Sequence, residues 1–444
     1  MYYNPLFLQT DSIQESAFYA TDLGKLHRII PFKELASKIP SPAQGLSGRG
    51  RKAFLKVEGG IALQILKHYT GLSDEMLLER LNTDWCMQYF CGLRLVFRKI
   101  KDKNLVSWWR CYLAKYLDIK QLQPVLINAW KPYMTQTHVT MMDATAYESN
   151  IRYPTDVKLI WESIEKVYNI LTQRRKLFKL RRSRSNYEKH KKNYMGYQRN
   201  RRKSKRKDKK LRKHLLKYLQ RLLGNLKQLQ DQHGFGYRGK ENKLLSSIQT
   251  VYEQQFELLY GDRQNVKQRI VSLAKPYVRP IVRGKEIKPV EFGPKVHKVL
   301  VGGLGFIEHI SYENFNEGTR LKHSVAFHQK HFGRCKQLAG DAIYATNKNR
   351  RYCNALGIAT SFLPKGKQGK LQDQKTAMRH ALSTLRATVL EGSFGNEKNH
   401  YLLGKIKART QATEIAWIFF GMMTANASII SKRIYQSNRL RQTA

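Results

Sequence analysis

The sequence predicts an α/β protein that carries an all-helical region near its N-terminus and an inserted basic helical arm. Three observations predict this fold class. Short apolar runs alternate with helical stretches of about ten residues over the last third of the chain, which is typical of an α/β layer fold. Apolar residues at helical spacing fill the region before the first strand-like run. A long segment dominated by Lys and Arg separates that run from the next one.

The charge of the chain limits the partners that it can have. Its 444 residues include 81 Lys and Arg against 33 Asp and Glu, a formal net charge of +48. Such an imbalance predicts a polyanionic partner. The basic side chains stand among Tyr, Gln and Asn rather than along a sustained apolar face. We therefore expect DNA or RNA as the partner, and no membrane.

Cysteine usage and hydropathy exclude other classes of protein. The five cysteines are odd in number and show no C-x-x-C spacing, so we expect neither disulfides nor a zinc finger. This cysteine usage fits the reducing environment of the cytoplasm. The N-terminus lacks the basic stretch and apolar core of a signal peptide. The most apolar late stretch, 415–430, is shorter than the ~20 residues of a membrane span and contains polar side chains. We interpret it as a buried core helix.

The first 135 residues divide into a mixed segment, 1–46, and a helical domain, 47–135. Apolar residues at helical spacing predict a helix over 53–69, Gly71 ends it, and Ser73 caps a second helix. Two helices joined by a short turn and approached by a basic loop are typical of a DNA-binding or dimerisation domain. A plain helical hairpin with a solvated basic approach is the alternative. The basic residues of the approach are Arg49, Arg51 and Lys52.

The segment 161–284 predicts a helical arm inserted between strands. Within it, residues 174–213, here named the basic block, contain 21 Lys and Arg and two acids, a local net charge of +19. Leucines recur at helical spacing from 211 to 229 and predict an amphipathic helix. A solvated charge run is the usual interpretation, but like charges at this density repel one another unless phosphates neutralise them. The expected phosphate contacts are Arg201, Arg202, Lys203, Lys205, Arg206 and Lys207.

The strand-like runs and their intervening helices form one predicted domain, 136–160 plus 285–444. In chain order, the predicted strands are 137–143, 297–310, 337–341 and 358–362, and the predicted helices are 319–333, 346–356, 372–400 and 411–431. Helices between strands provide the crossover connections of an α/β layer.

Three acidic residues stand out in this domain. Asp143 ends the first strand-like run, Asp341 ends a later one, and Glu391 lies inside the long predicted helix. Carboxylates from two strand ends and one helix can converge on a pair of divalent metal ions, which clamp the attacking and leaving oxygens of a phosphodiester. Each acid alone has an ordinary interpretation as a turn former, a helix cap or a surface glutamate. Together they predict a metal site for phosphoryl transfer.

A lysine accompanies the last of these acids. Lys398 lies seven residues after Glu391, about two turns along the same face of the predicted helix. We expect its ammonium group to contact a DNA phosphate beside the scissile bond.

The basic approach with its helices and the sequences around the three acids resemble those of bacterial insertion-sequence transposases of the DDE superfamily, in the group around insertion sequence five. Residues 48–52, 69–81 and 89–93 resemble the N-terminal helical domain of that group. The resemblance extends in three blocks over most of the chain.

The acidic residues carry the other two parts of the resemblance. The stretch 143–156 is similar to the first-aspartate block of that group, and Asp341-Ala-Ile-Tyr, with the Asn and Arg residues after it, is similar to the second. Glu391 with Phe394 and Lys398 matches the glutamate block, including a lysine seven residues on.

This resemblance implies an RNase H-like catalytic core that binds two Mg²⁺ ions, for which Mn²⁺ can substitute. It implies that Asp143, Asp341 and Glu391 are the catalytic metal ligands and that Lys398 contacts DNA. The implied reaction is cleavage and strand transfer at the terminal inverted repeats of an insertion sequence. The implied partners are double-stranded end and target DNA and a second copy of the chain, because an element has two ends. The implied location is the bacterial cytoplasm, at the nucleoid.

One position departs from the family pattern. The family often has an arginine four residues before the glutamate, whereas position 387 is Ala and the nearest arginine is Arg386. The function of that arginine is either shifted by one position, to Arg386, or absent, so we do not claim Arg386 as a catalytic residue. Two alternatives remain open: a non-catalytic nucleic-acid-binding protein on the same scaffold, and a metal-dependent nuclease without strand transfer. A tyrosine recombinase would need a clustered Arg, His and Tyr set, which we do not find.

Overall fold

The computed structural model describes residues 5–42, 54–93, 99–181, 184–261, 266–282, 289–365 and 372–443. The chain forms two compact units. Unit 1 comprises Met1–Ser149, Pro294–Ser311 and Phe315–Ala444, and unit 2 comprises Asn150–Gly293 and Tyr312–Asn314. The four-part domain division that the sequence suggests stays a prediction. Arg49, Arg51 and Lys52 lie outside the described residues.

Among the described residues, helices precede residue 134 and fill 156–260, whereas strands lie at 139–149 and, together with further helices, from 280 onwards. The α-helices are α1 (Pro5–Ala20), α2 (Asp22–Ile29), α3 (Phe32–Ala36), α4 (Val57–Thr70), α5 (Asp74–Thr83), α6 (Trp85–Phe90), α7 (Leu105–Tyr116), α8 (Ile119–Trp130), α9 (Asp156–Leu177), α10 (Tyr187–Arg199), α11 (Lys205–His233), α12 (Gly239–Tyr260), α13 (Leu321–Phe332), α14 (Asn347–Ala355), α15 (Gln372–Leu385), α16 (Glu391–His400) and α17 (Gln411–Thr443). The strands are β1 (Val139–Ala146), β2 (Glu148–Ser149), β3 (Pro280–Val282), β4 (Val290–Phe292), β5 (Lys295–Val301), β6 (Leu304–Ser311), β7 (Gln337–Ala339), β8 (Ala359–Thr360) and β9 (Lys405–Ile406).

The N-terminal helices of unit 1 confirm the predicted pair of helices. Gly71, at φ +69°, ends α4 in the left-handed region, where a glycine carries no steric penalty. The Ser73 hydroxyl accepts the N–H of Met76 and caps α5. Apolar residues of both helices belong to one large core together with Trp417 of α17. The N-terminal helices and the C-terminal helix are therefore parts of one packed body.

Helix α17 is the main apolar element of that core. Among the described residues, only its segment Gln411–Tyr435 is long and apolar enough to cross a membrane, and 89% of its apolar window is buried inside the fold. Such burial is typical of the core helix of a globular protein, which is the interpretation that the sequence favours.

The sheet of unit 1 has five strands in the order β6-β5-β1-β7-β8. Strand β1 lies at its centre, antiparallel to β5 and parallel to β7. On the outer sides, β6 pairs antiparallel with β5 and β8 pairs parallel with β7. The sheet is thus mixed, which is consistent with the predicted α/β class. The single strand predicted for 297–310 is wrong: Gly302 and Gly303, both at positive φ, form a turn that divides it into β5 and β6.

The expectation that Asp143 ends the first strand is wrong. Strand β1 continues to Ala146, and Asp143 lies within it, opposite Lys298 of β5. The small residues after Asp143 extend the ladder because β5 offers partners as far as Lys295. A strand end thus depends on the length of the partner strand, which the local sequence does not reveal.

Unit 2 is mainly helical. Leucines of α11 are buried against apolar residues of α9 and α12, which confirms the amphipathic helix that the leucine spacing predicts. Helix α10 has no buried residue and is held by stacked rings instead. Tyr187 stacks on Tyr168 with ring centres 4.0 Å apart, and Tyr194 stacks on Trp161 at 4.9 Å. Its lysines are therefore left on the surface.

Candidate active site

The three acidic residues that the sequence singles out lie together around the guanidinium group of one arginine. Nη2 of Arg386 lies 3.2 Å from a carboxylate oxygen of Asp143 and 3.6 Å from one of Asp341. Nη1 of the same arginine lies 3.6 Å from a carboxylate oxygen of Glu391. Asp143, Asp341 and Glu391 are named the carboxylate cluster below. Residues far apart in the sequence thus meet at one point.

Each acid of the cluster reaches this point from a different element. Asp143 lies in the central strand β1, and Asp341 follows the neighbouring parallel strand β7 by two residues. The Asp341 carboxylate accepts the N–H of Ala342 at 2.6 Å and caps a short 3₁₀ turn. Glu391 is the first residue of α16. Adjacent strands and one helix end therefore supply the three carboxylates.

Arg386 reaches the cluster because its helix contains a π-helical turn. The predicted helix 372–400 consists of α15, a π turn at Arg386–Leu390, and α16. The N–H of Glu391 donates to the carbonyl oxygen of Arg386, five residues back. In a π turn, residues five apart lie on one face, as residues four apart do in an α-helix. Our sequence reasoning gave Arg386 no role, although its one-residue offset was the signal of such a turn.

A buried ion pair holds α16 against strand β5, at the residue that pairs with Asp143 of β1. Lys298, which is opposite Asp143 on β5, is fully buried, and its Nζ lies 2.6 Å from Oε1 of Glu397. The Tyr147 hydroxyl donates to the other carboxylate oxygen of Glu397. Burial lowers the pKa of Lys298 below its ordinary value, while the charge and hydrogen bond of Glu397 oppose that shift. The helix that carries Glu391 is thus tied to the strands at a fixed point.

A second buried contact holds the turn that follows Asp341. Nε2 of His297, the neighbour of Lys298 on β5, lies 2.8 Å from the Tyr344 hydroxyl. Nδ1 of His297 lies 3.1 Å from Glu308, which also binds Arg320. Two consecutive residues of β5 therefore tie down the elements that carry Asp341 and Glu391, and sequence reasoning missed both. The only sequence signal for these two supporting residues is that His297 and Lys298 are polar residues within an otherwise apolar strand-like run.

The environment of Asp143 differs from that of its two partners. The Asp143 side chain is 16% exposed, whereas Asp341 and Glu391 are 54% and 58% exposed. Burial raises the pKa of Asp143 above its ordinary value. The N–H of Ala144, which donates to its Oδ1 at 2.8 Å, and the charge of Arg386 oppose that rise. The cluster thus has one buried, anchored carboxylate and two accessible ones.

Lys398, which we expected to contact DNA, lies on α16 with Glu391. Its Nζ donates to the Thr145 hydroxyl at 2.9 Å and lies 5.8 Å from the centre of the Tyr147 ring. Thr145 is two residues beyond Asp143 on β1. The structure therefore brings Lys398 to the strand that carries the first aspartate.

Unit 2 presents a different kind of surface. Residues 150–293 contain 38 Lys and Arg and 12 Asp and Glu, a net charge of +26, which is more than half of the +48 of the chain. Several of its acids are engaged internally: Asp156 accepts from Arg212 and Arg269, and Asp208 accepts from Tyr197 at 2.6 Å. The predicted phosphate contacts are all exposed: Arg201, Arg202, Lys203, Lys205, Arg206 and Lys207.

Two segments of the chain match models of protein families. Residues 338–426 match the family described as transposase DDE domain, and residues 13–111 match the family described as transposase domain (DUF772). These two matches support an insertion-sequence DDE transposase. No curated protein and no solved structure matches it. The segment that matches the DDE domain, 338–426, includes Asp341 and Glu391, whereas Asp143 lies outside both segments.

DDE transposases act on DNA and generally use divalent metal ions. The carboxylate cluster of this transposase fits such an ion in its chemistry, because hard divalent cations prefer carboxylate oxygens. The guanidinium of Arg386 already brings one positive charge to the place where three carboxylates meet. In the structure, no group of three His, Cys, Asp or Glu side chains among the described residues is spaced to hold a metal ion. The donors therefore fit the ion, but their present spacing fits the guanidinium.

Proposed function

We propose that this transposase binds the terminal inverted repeats of its insertion sequence and catalyses metal-dependent DNA cleavage and strand transfer. Asp143, Asp341 and Glu391 are the proposed catalytic residues and metal ligands. The observation that carries the proposal is the convergence of these three carboxylates around one cation, Arg386. Acids in a chain of net charge +48 have many basic partners available, yet these three share a single one.

The proposed fold of the catalytic part is RNase H-like, in the group around insertion sequence five. The mixed five-stranded sheet supports it, with Asp143 in the central strand and Asp341 just after its parallel neighbour. Strands β7 and β8 are joined through helix α14, a crossover of the kind that α/β layers use. The region from Asp341 to Glu391 lies inside the matched DDE segment.

The proposed chemistry is an in-line phosphoryl transfer. When bound, two Mg²⁺ ions, or Mn²⁺ in their place, supply charge stabilisation for the attacking and leaving oxygens. The carboxylate cluster would hold the cations, and the buried contacts of Lys298 and His297 keep its supporting elements in place. Lys398 exchanges its bond to Thr145 for a DNA phosphate. The side chains themselves transfer few protons, and no covalent protein–DNA intermediate is required.

The basic block of unit 2 is the proposed site of phosphate contact. Its exposed Lys and Arg neutralise the DNA backbone, which positions the duplex without reading its sequence. The proposed active form is a homodimer, because one element has two ends to be joined. Its proposed place of action is the cytoplasm, at the nucleoid.

Cleavage of a DNA fragment that carries the element ends tests the catalytic assignment. We expect Asp143→Asn, Asp341→Asn and Glu391→Gln each to lower the cleavage rate at least about 100-fold, because even groups that only orient a metal ligand can contribute that much. The matched control is Asp22→Asn, whose side chain is 84% exposed, and it should cleave like the wild type.

The outcome of this assay also separates the alternative functions. Wild-type rates in any of the three variants remove that residue from the site. Cleavage without joining of 3′-OH ends to a target reduces the function to that of a nuclease. Salt-sensitive binding without any Mg²⁺-dependent cleavage leaves a non-catalytic DNA-binding protein.

A further inference from the structure

Arg386 has an unusual set of neighbours for an arginine of a DNA-binding protein. Its two terminal nitrogens face three carboxylates, at 3.2 to 3.6 Å. Its side chain is 19% exposed, and its Nε has no hydrogen-bond partner among the described residues. The guanidinium is thus held almost entirely by the carboxylate cluster, and the cluster has no other cation at its centre in the described structure.

The cluster cannot hold this guanidinium and a divalent cation at the same place. Mg²⁺ binds oxygen ligands at about 2.0–2.1 Å, whereas the cluster oxygens stand 3.2 to 3.6 Å from the guanidinium nitrogens. No metal-holding group of three appears among the described side chains. The carboxylates must approach one another, and the guanidinium must leave their centre, before they share an ion.

Both movements are within reach of the side chains concerned. The side chains of Asp341 and Glu391 are more than half exposed and so have room to change conformation, whereas that of Asp143 is 16% exposed. Arg386 lies in a single π turn and has a long, flexible side chain. Removing it from three carboxylates requires a competing anionic partner. A DNA phosphate can compete with them, because it carries a full negative charge and accepts paired hydrogen bonds from a guanidinium as a carboxylate does.

We propose that Arg386 is an internal counter-cation of the carboxylate cluster and that a DNA phosphate withdraws it, which opens the cluster to divalent cations. This proposal rests on the function proposed for the cluster. A coupling between two ligands is reciprocal, so DNA raises the affinity for the cation and the cation raises the affinity for DNA by the same factor. The cluster therefore takes up its cations where DNA is already in place.

Mn²⁺ titration of the full chain tests this coupling without any measurement of catalysis. Free Mn²⁺ is followed by electron paramagnetic resonance, with and without a duplex oligonucleotide. We expect DNA to tighten Mn²⁺ binding by wild type between about 5- and 150-fold, the usual range of such couplings. Arg386→Met should bind Mn²⁺ tightly without DNA, and adding DNA should not increase its affinity for Mn²⁺ further. Arg386→Lys, which keeps a cation, should retain most of the coupling.

Two further variants make the result specific. The same titration with Asp143→Asn measures the Mn²⁺ held by DNA itself, which is subtracted. Arg379→Met is the matched control, because Arg379 lies on α15 and donates to Thr376 at 2.7 Å rather than to the cluster. It should behave as wild type.

Three outcomes overturn the proposal. Unchanged or weaker Mn²⁺ binding by folded Arg386→Met without DNA means that the arginine does not compete with the cation. Loss of coupling in Arg386→Lys as well as in Arg386→Met means that the positive charge is not the agent. Identical titrations of wild type and Asp143→Asn, with DNA present, mean that the cluster binds no cation; the proposed function of the cluster then fails, and this proposal fails with it.

Discussion

The carboxylate site of unit 1 and the basic block of unit 2 use charge in opposite ways. In unit 1 a few charged groups are buried or half-buried, and each has specific partners: Lys298 with Glu397, and Arg386 with three acids. In unit 2 many charges of one sign stand exposed on helices whose leucines form the core. The first region depends on the position of single atoms, and the second depends on the sum of many equivalent charges.

This difference determines how each region responds to substitution. A buried charge that loses its partner keeps its full desolvation cost, so one change is enough to damage unit 1. Replacing one exposed lysine of the basic block would remove only one of many proposed phosphate contacts and should leave the fold unchanged. The expectations below test this contrast, in order of their effect on stability.

The largest effect is expected when the Lys298–Glu397 pair is broken on one side. Lys298→Met leaves the buried Glu397 with the Tyr147 hydroxyl but without a cation, and it should lower the free energy of unfolding by about 3–5 kcal/mol. The double variant Lys298→Met, Glu397→Gln leaves no unpaired charge and should recover most of the loss. Urea denaturation followed by circular dichroism measures all three proteins.

The control for that experiment is the exposed pair Lys25–Asp22, in which Asp22 is 84% exposed. Lys25→Met should change the free energy of unfolding by less than about 1 kcal/mol. A loss for Lys298→Met as small as that for Lys25→Met contradicts the contrast, because the buried pair would then behave as a surface pair.

An intermediate loss of stability is expected at acidic pH, where His68 becomes protonated in the unfolded chain. Burial lowers the pKa of His68 of unit 1 to about 3, while its Nδ1 lies 2.9 Å from the carbonyl oxygen of Tyr401. Below pH 6.5 the unfolded chain takes up a proton that the folded chain does not, so stability is complete above pH 6.5 and falls as the pH drops towards the folded value. At pH 5 this one group should cost about 2 kcal/mol.

The contribution of His68 to acid sensitivity is measured by following the urea midpoint of unfolding as a function of pH. His68→Gln keeps a donor for the Tyr401 carbonyl but does not titrate, so its stability should fall less steeply between pH 6.5 and pH 5 than that of wild type. Identical slopes in the two proteins mean that His68 contributes nothing to the acid sensitivity.

The smallest effect on stability, and the clearest effect on DNA binding, is expected from the basic block. Replacing Lys203, Lys205, Arg206 and Lys207 by Gln should leave unfolding unchanged. It should flatten the plot of log affinity against log salt by roughly 0.9 for each phosphate contact that is lost. Fluorescence anisotropy with a labelled duplex at several salt concentrations measures the slope.

The matched control removes the same charge from another exposed part of unit 2. The four control substitutions to Gln are at Lys217, Lys227, Lys240 and Lys243. A slope change of equal size in both sets means that the duplex responds to overall charge and not to the basic block. An unchanged slope in the first set removes the block from the interface.

The sequence is sufficient for features whose cause is local. Gly71 and Ser73 mark the end of α4 and the start of α5 because turn and cap chemistry depends on single residues. The leucines of α11 indicate its buried face because helical periodicity is a property of the segment itself. The three acids of the carboxylate cluster were singled out by the residues around them, and the structure brings them together, although their roles remain predictions.

Features that depend on distant partners were not predictable. Strand β1 extends past Asp143 because β5 pairs along its whole length. Lys298 and Glu397, 99 residues apart, find each other only in the folded chain. Arg386 was set aside because a four-residue helical spacing was assumed, and the π turn that brings it beside Glu391 changes that spacing. Each miss follows from pairing or helix geometry that no short window of sequence contains.

The placement of unit 2 within the chain also sets the order in which the protein can fold during synthesis. Residues 150–293 separate strand β1, with Asp143, from its antiparallel partner β5. A ribosome must complete that whole insertion before the centre of the sheet can close, and α16 follows later still. A truncated product that ends just after the insertion therefore contains Asp143 and the basic block but lacks Asp341 and Glu391, so it cannot assemble the carboxylate cluster.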